Sequence, residues 1–256
     1  YRKKHYVAEK TIVVVAGDVT EKFVLDEVKK HFKTIPQGKR VGKLPVRPKQ
    51  KAPGIVVDKK KTNQTHMLLG FHAYDAKDKR LPALAVLSSI LGGGMSGRLW
   101  RKVRHELGAC YYVYSAIEEN TDHGVLAIAT GINASRVEEV LKTIISEVKD
   151  LRENKVLDDE LKKAKEYYIG HLYMSLETTH KLTEFYGIGE VSSGKLQTPF
   201  EIEKQIRAVT AADVLKVAKD IFKDENLNLA IVGNVTNTRE VKKVLTFKSW
   251  RKKTGN

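Results

Sequence analysis

The chain has 256 residues, of which 41% are hydrophobic and 30% charged, and its formal net charge is +15. This composition is typical of an ordinary globular protein with one large domain or two small ones. No apolar run approaches the roughly 20 residues that a membrane-spanning helix needs. The single cysteine excludes an internal disulfide. No secretory signal peptide is recognisable at the start, so we expect a cytoplasmic protein.

A strand, a tight turn and an amphipathic helix are predicted at Lys10–Phe32, with the strand at Val13–Val15. The same pattern returns at Asn226–Leu245, and the tetrad Gly-[Asp/Asn]-Val-Thr begins at both Gly17 and Gly233. Such a repeat indicates two homologous domains. We therefore expect residues 1–44 to be the last strand and helix of a truncated first domain, and the chain to be a fragment. The second domain is expected to run over residues 52–256.

The positive charge is concentrated in residues 1–61, which contain 17 Lys/Arg and six Asp/Glu. It is densest between residues 39 and 61, where Pro45, Pro48 and Pro53 punctuate the chain. Prolines and glycines at this density predict a linker, which we place at residues 45–61, leading into the second domain. A basic linker is either a solvated tether or an attractant for acidic partners and nucleic acid. The tether is favoured, and no nucleic-acid partner is expected.

The remaining elements alternate between strands and helices, and a weaker third copy of the strand–helix repeat spans Gly124–Val148. Strands are predicted at Gly54–Asp58, Thr65–Phe71, Tyr111–Glu118 and Gly124–Gly131, and helices at Leu81–Leu91, Asp158–Leu176, Lys181–Glu190 and Thr210–Phe222. The hairpin over residues 111–131 favours antiparallel pairing. The prediction is an α+β fold with a mixed, largely antiparallel sheet covered by helices.

The most informative stretch covers residues 92–114, with the sequence GGGMSGRLWRKVRHELGACYYVY. A glycine loop opens into a short basic helix, and an aromatic strand follows. Arg98, Arg101 and Arg104 recur at helical spacing, which predicts that they share one face. Tyr111 follows on the strand. An arginine and a tyrosine can therefore converge beside a glycine rim, where they would hold the carbonyls of an extended peptide or an anion.

Candidate metal ligands are sparse. Neither His-Glu-x-x-His nor His-x-x-Glu-His occurs in the chain. His66 and His72 share a predicted strand face but have no close third ligand, which is poor evidence for a metal site. Cys110 lies in an apolar strand and is interpreted as a buried structural thiol. We expect no metal site in this segment.

The 92–114 stretch resembles the second-domain motif of the pitrilysin/insulinase-type (inverzincin) zinc peptidases, closest to the branch with mitochondrial processing peptidase. In that branch a glycine loop precedes the patterns -S-x-R-L-, -x-x-[IVL]-R- and -x-x-x-G-x-x-Y-x-[VS]-. The matching residues are Gly92–Gly94, Ser96, Arg98, Leu99, Val103, Arg104, Gly108 and Tyr111. The segments TIVVVAGDV, VTAADVLKVAKDIF and LAIVGNV are also similar to family segments, so the resemblance covers nearly the whole chain.

The resemblance implies the metallohydrolase fold of mitochondrial processing peptidase, in which two similar domains close around an unfolded peptide. The first domain holds zinc through His-x-x-Glu-His and a distal glutamate, and the second supplies an arginine and a tyrosine that engage the substrate backbone. Carried over to this chain, these two residues are Arg104 and Tyr111. The loop residues expected to bind substrate beside them are Gly92, Gly93, Gly94 and Ser96.

The implied function is the substrate-binding half of a zinc-dependent endopeptidase that cleaves peptides or unfolded polypeptides. The zinc would belong to a first domain, and this segment would be inactive alone. Its implied partners are a peptide substrate and either the first peptidase domain or a homologous subunit. Two alternatives stay open: a non-catalytic partner or assembly subunit of the same fold, and, less favoured, a basic nucleic-acid-binding module.

Overall fold

A five-stranded mixed sheet forms the centre of the molecule, with the strand order β1-β5-β2-β4-β3. The computed structural model describes residues 1–39, 42–235 and 238–247. The strands are β1 Gly54–Lys59, β2 Thr65–Ala73, β3 Cys110–Glu119, β4 Gly124–Ile132 and β5 Leu227–Gly233. Only the β1–β5 pair is parallel among these neighbours. The predicted mixed, largely antiparallel sheet is confirmed.

The helices include segments for which the sequence predicted none. The α-helices are α1 Arg2–His5, α2 Glu21–Phe32, α3 Leu81–Gly92, α4 Val137–Glu153, α5 Asp158–Met174, α6 Thr179–Ser193, α7 Pro199–Ala208, α8 Ala211–Ile221 and α9 Thr238–Val244. Of these, α1 and α7 were not predicted, and neither was a short 3₁₀ turn at Ala134–Arg136. Thr210 and Asp213 form a capping box at the start of α8, where the sequence predicts a helix from Thr210. Within the described residues, no helix is both long and apolar enough to cross a membrane.

The helices cover one face of the sheet. Alternate residues of β2 point into this layer, where Met67, Leu69 and Phe71 are buried and Phe71 meets Phe222 edge-on at 4.9 Å. Helix α3 packs on β3 and α8 packs on β2. The opposite face is partly open, and Leu68 is 45% exposed there. The sheet therefore has a buried helical side and an accessible side.

The two Gly-[Asp/Asn]-Val-Thr tetrads begin with the same backbone conformation. Gly17 has φ +154° and Gly233 has φ +153°, values that favour glycine. In each copy the amide two residues later donates to the glycine carbonyl at 3.0 Å. The helix after the first tetrad forms as predicted, at Glu21–Phe32. The repeat therefore extends from sequence to backbone geometry.

The segment with the strand predicted at Val13–Val15 pairs with no other described strand over residues 11–16, so it forms no sheet within this chain. The equivalent strand β5 has a neighbour on each side, β1 and β2. A single extended segment without a ladder partner leaves its N–H and C=O groups unpaired and does not form a sheet. β-branched residues predict the extended conformation but cannot supply the partner.

The basic linker is extended and held at two points. The side chain of Asp122, in the β3–β4 turn, accepts from Lys43 Nζ at 2.6 Å and from the Val46 amide at 3.0 Å. Further along, Gln50 donates to the carbonyl of Leu227 at 2.8 Å. The hydrogen bond from Lys43, followed by that from His123, holds the pKa of Asp122 well below its usual range. The carboxylate thus stays charged throughout the neutral pH range and fixes the linker on the hairpin.

The substitution Asp122→Asn is expected to free the linker, because it removes the charge that holds Lys43. Trypsin should then cleave after Lys43, Lys49 and Lys51 several-fold faster, as measured by mass spectrometry of the early products. Asp26→Asn, on an exposed position of α2, makes the same charge change elsewhere and serves as the control. Equal cleavage rates in the two variants would show that Asp122 does not hold the linker.

Candidate functional site

The glycine loop allows α3, β3 and α5 to approach closely. A Cβ atom on Gly92 would overlap the backbone nitrogen of Ser115 in β3. Ser115 is tied to the same helix, because its hydroxyl donates to the carbonyl of Ser88 at 2.6 Å. Gly94 adopts φ +66°, and a Cβ there would press into the ring of Tyr167 on α5. The glycines are therefore needed for packing as well as for the shape of the loop.

The loop borders a cavity of about 660 Å³ that opens between β3, the end of α3 and α5. Gly92, Gly93 and Gly94, for which substrate binding is predicted, lie on its rim. Aromatic side chains form much of the wall, namely Trp100, Tyr112, Tyr114, Tyr167 and Tyr168. Ser96 is exposed and does not line this cavity. Mostly apolar walls with a few polar groups are typical of a ligand site.

The side chain of Arg104 reaches the start of β3, next to the residue that precedes Tyr111. The Arg104 guanidinium donates to the backbone carbonyl of Cys110, the residue that precedes Tyr111. Tyr111 is the extra residue of a β-bulge, since the register shifts between Cys110 and Tyr112. Such bulges re-aim side chains, and Tyr111 is 57% exposed. The fold thus brings together the two residues that the motif singled out, next to but outside the cavity.

The segment that carries Arg104 is a π-helix, at Trp100–Glu106. Its Leu107 amide donates to the Lys102 carbonyl, an i→i+5 bond. π-turns occur frequently at functional sites. Because the turn is wider than in an α-helix, residues three apart are no longer stacked on one face. The predicted common face of Arg98, Arg101 and Arg104 is therefore wrong.

Arg98 points inward and joins the loop to two helices. Its guanidinium donates to both oxygens of Glu160, at 2.6 and 2.8 Å, and to Asp150 at 2.5 Å. Glu147 lies 3.7 Å away. The arginine side chain is only 11% exposed. Arg98 is therefore a structural clamp, whereas Arg101 and Arg104 remain exposed.

His66 and Tyr112 form a pair that the sequence analysis missed. Nδ1 of His66 lies 2.9 Å from the Tyr112 hydroxyl, and the two rings are stacked. Tyr114 stands beside Tyr112, with ring centroids 5.9 Å apart. Strand alternation predicted only that His66 shares a face with His72, whereas the pair requires the register that sets His66 and Tyr112 opposite Gly131 of β4. The cluster extends the aromatic surface from the cavity onto the open face of the sheet.

The described residues do not fit a zinc ion. They contain no group of three or more His, Cys, Asp or Glu side chains arranged to hold a metal. Cys110 is buried, and burial raises the pKa of its thiol, which disfavours the thiolate that zinc requires. What this site offers is a guanidinium, a phenol and an aromatic cavity.

Comparison with known protein families gives a match over residues 1–168. The matching family is described as peptidase M16 inactive domain. The chain belongs to the M16 peptidase family. This is the pitrilysin-type family that the 92–114 motif indicated. YmxG of Bacillus subtilis, named an uncharacterized zinc protease, is an M16 relative with 31% identity over 234 residues, 91% of this chain and 56% of YmxG. The chain thus spans about half the length of such relatives.

Solved structures share the M16 fold. The peptidase M16 inactive domain from Pseudomonas fluorescens matches with a TM-score of 0.80 at 20% identity, over 92% of this chain and 56% of that one. A chain of complex III2 from Candida albicans matches with a TM-score of 0.75 at 15% identity, over 90% and 57% respectively. At these identities the likeness establishes the fold and leaves the function open.

Proposed function

We propose that this M16 domain is the substrate-binding half of a zinc-dependent endopeptidase that cleaves peptides or unfolded polypeptides. The observation that carries the proposal is the placement of Arg104 and Tyr111. The Arg104 guanidinium sits on the carbonyl of the residue before Tyr111, so both side chains reach the same region of surface. They are the residues whose counterparts engage the substrate backbone in the resembling peptidases.

Both side chains have donor capacity to spare. Among the described residues Arg104 has no carboxylate partner, whereas Arg80, Arg98, Arg136 and Arg207 are ion-paired. A guanidinium carries five N–H donors, and the bond to Cys110 uses one nitrogen. The Tyr111 hydroxyl makes no hydrogen bond to another described residue. An arginine and a tyrosine in this state can donate to a substrate carbonyl whose oxygen gains negative charge during hydrolysis.

Residues 1–44 fit the proposal as the end of a preceding homologous domain. The support is the shared geometry of the Gly17 and Gly233 turns. Val13 and Val15 are 42% and 50% exposed, which is unusual for a β-branched run. In the second copy the equivalent strand is buried between β1 and β2. We propose that residues 11–16 complete the sheet of that other domain.

The zinc of the proposed enzyme would be held by residues outside the described part of this chain. We expect the purified 256-residue chain to contain no stoichiometric zinc by atomic absorption and to cleave no peptide by itself. Stoichiometric zinc together with peptidase activity in this chain would reject the division of labour proposed here.

The substitution Tyr111→Phe removes only the hydroxyl, so it tests the proposed role directly. We expect kcat to fall at least about tenfold, since a donor to the developing oxyanion is lost. The melting temperature should change little, because the hydroxyl has no described intramolecular partner. The measurement is cleavage of an internally quenched peptide by the complete protein. The control is Tyr6→Phe, which removes the hydroxyl of an exposed tyrosine far from Tyr111 in the sequence. A large loss of stability with unchanged kcat would instead indicate a packing role.

A non-catalytic assembly subunit is the second candidate function. It is favoured by the fold shared with a chain of Candida albicans complex III2. Under this alternative, the complete protein would cleave no peptide, with or without the substitutions. Any cleavage that it did show would be the same in the wild type, Tyr111→Phe and Arg104→Ala. Nucleic-acid binding is less favoured, because Lys43, just before the basic linker, is engaged by Asp122. A steep loss of duplex binding with rising salt would be its signature.

A further inference from the structure

Tyr111 is the extra residue of the bulge in β3, and contacts from other elements hold the residues on both sides of it. The carbonyl of Cys110 accepts from the Arg104 guanidinium. The carbonyl of Tyr112 accepts from the Thr130 hydroxyl of β4, at 2.9 Å. Tyr111 is 57% exposed, and its hydroxyl makes no hydrogen bond to another described residue. The backbone around Tyr111 is therefore held, while its phenol can donate to a ligand.

Thr130 is fully buried next to the bulge. A bulge disrupts the ladder of backbone hydrogen bonds locally and leaves its extra residue unpaired. At this disruption a buried side-chain hydroxyl, that of Thr130, donates to the Tyr112 carbonyl. Thr65 of β2 is equally buried, but its hydroxyl has no partner among the described residues. Burial alone therefore does not account for the contact of Thr130, which belongs to the bulge.

The side chain of Tyr112 spans the neighbouring strand β4. Its register partner there is Gly131, where a Cβ atom would lie 2.5 Å from the Tyr112 ring. Beyond Gly131 the Tyr112 hydroxyl lies 2.9 Å from Nδ1 of His66 in β2. The ring therefore occupies space that glycine leaves open, and its end is anchored on a third strand. Tyr112 is thus held at its carbonyl, its ring and its hydroxyl.

We propose that Thr130 and His66 are positioning residues, which hold the bulge of β3 in the conformation that presents the Tyr111 hydroxyl to the substrate. The inference rests on the proposed role of Tyr111 and adds the residues through which the fold sets its place. Neither Thr130 nor His66 lines the cavity, so their effect passes through the backbone of residues 110–112. Because a bulge residue is unpaired, its orientation depends on the residues on either side of it.

The substitution Thr130→Val removes the hydroxyl and keeps the shape of the side chain. We expect kcat of the complete protein for a quenched peptide to fall about fivefold with little change in KM, well short of the roughly hundredfold loss that a misplacement of about 1 Å can cause. Thr65→Val is the matched control, because it makes the same change at a buried threonine whose hydroxyl has no described partner. The control should leave kcat unchanged.

Two further variants separate positioning from packing. Thr130→Ser keeps the hydroxyl and loses a methyl group, so positioning predicts a kcat near that of the wild type. A packing role predicts the opposite order, because serine leaves a small cavity whereas valine fills the space. On the open face of the sheet, His66→Ala should lower kcat about threefold, as for a partial misplacement. His72→Ala, on the same strand, is its control and should leave kcat unchanged.

The deciding measurement is a double-mutant cycle with Tyr111→Phe. If Thr130 acts through the Tyr111 hydroxyl, Thr130→Val should lower kcat by at most about twofold once that hydroxyl is absent. The same cycle with His66→Ala, at an exposed position, decides the matter if Thr130→Val does not fold.

The outcomes separate this inference from the function on which it rests. If Thr130→Val and His66→Ala each lower kcat equally with and without the Tyr111 hydroxyl, they act independently of it and the inference is wrong. If neither variant changes kcat while Tyr111→Phe lowers it, the inference is again wrong and the proposed function stands. If Tyr111→Phe leaves kcat unchanged, or the complete protein cleaves no peptide, the proposed function fails and the inference fails with it.

Discussion

The substitution Arg98→Met is expected to lower the free energy of unfolding by about 3 kcal/mol, the lower end of the range for breaking a buried ion pair from one side. The guanidinium is the shared partner of Glu160 and Asp150 and lies near Glu147. Without it, three carboxylates are left close together. Glu147 is most affected, since burial already raises its pKa. For a chain of this size the melting temperature should fall by roughly 10 °C.

The control for Arg98 is Arg101→Met, three residues further along. Arg101 is exposed and has no carboxylate within ion-pair distance among the described residues, so its loss should leave the melting temperature nearly unchanged. Adding Glu160→Gln to Arg98→Met should restore part of the stability, because it removes one of the repelling charges. Arg98→Lys should rescue only partly, since an ammonium cannot bind Glu160 through two parallel bonds. Equal melting temperatures for Arg98→Met and Arg101→Met would contradict the clamp.

Arg98 also shows where sequence reasoning stops. Helical spacing placed it on the same face as Arg104, in a common basic surface. That reasoning assumes 3.6 residues per turn, and the chain forms a π-helix here. The acids that capture Arg98 lie more than 50 residues away, on α4 and α5. Local periodicity carries no information about partners at that distance, so a structural arginine was interpreted as part of a binding surface.

Elements that depend on local signals were predicted well. The helix predicted from Thr210 begins at a capping box of Thr210 and Asp213, and the helix predicted at Leu81–Leu91 forms as α3. The segment at residues 13–15 has no strand partner within the described residues, because pairing is not a local property. The aromatic cavity was not predicted either, since it forms only when Tyr167 and Tyr168 of α5 meet the glycine loop. Glycine has its own sequence signal, so the loop at residues 92–94 could be recognised, whereas its role in binding stays a prediction.

The substitution Arg104→Ala is expected to lower kcat of the complete protein about 100-fold, the cost of one lost donor to a developing oxyanion. Its KM should change less, because the contact strengthens as charge develops. Stability should fall by only about 1 kcal/mol, since the described structure loses one hydrogen bond, to the Cys110 carbonyl. The measurements are cleavage of a quenched peptide and thermal unfolding of the same preparations.

Two comparisons make the role of Arg104 specific. Arg101→Ala removes another exposed arginine from the same π-helix and should leave kcat unchanged. Methylguanidinium added to Arg104→Ala should recover part of the activity, because it returns a planar donor to the space beside Tyr111. A structural role would show the opposite pattern, with a large fall in melting temperature and no recovery on adding the guanidinium. If instead Arg101→Ala and Arg104→Ala lose activity equally, the effect is that of general positive charge on the π-helix, and Arg104 does not engage the substrate backbone.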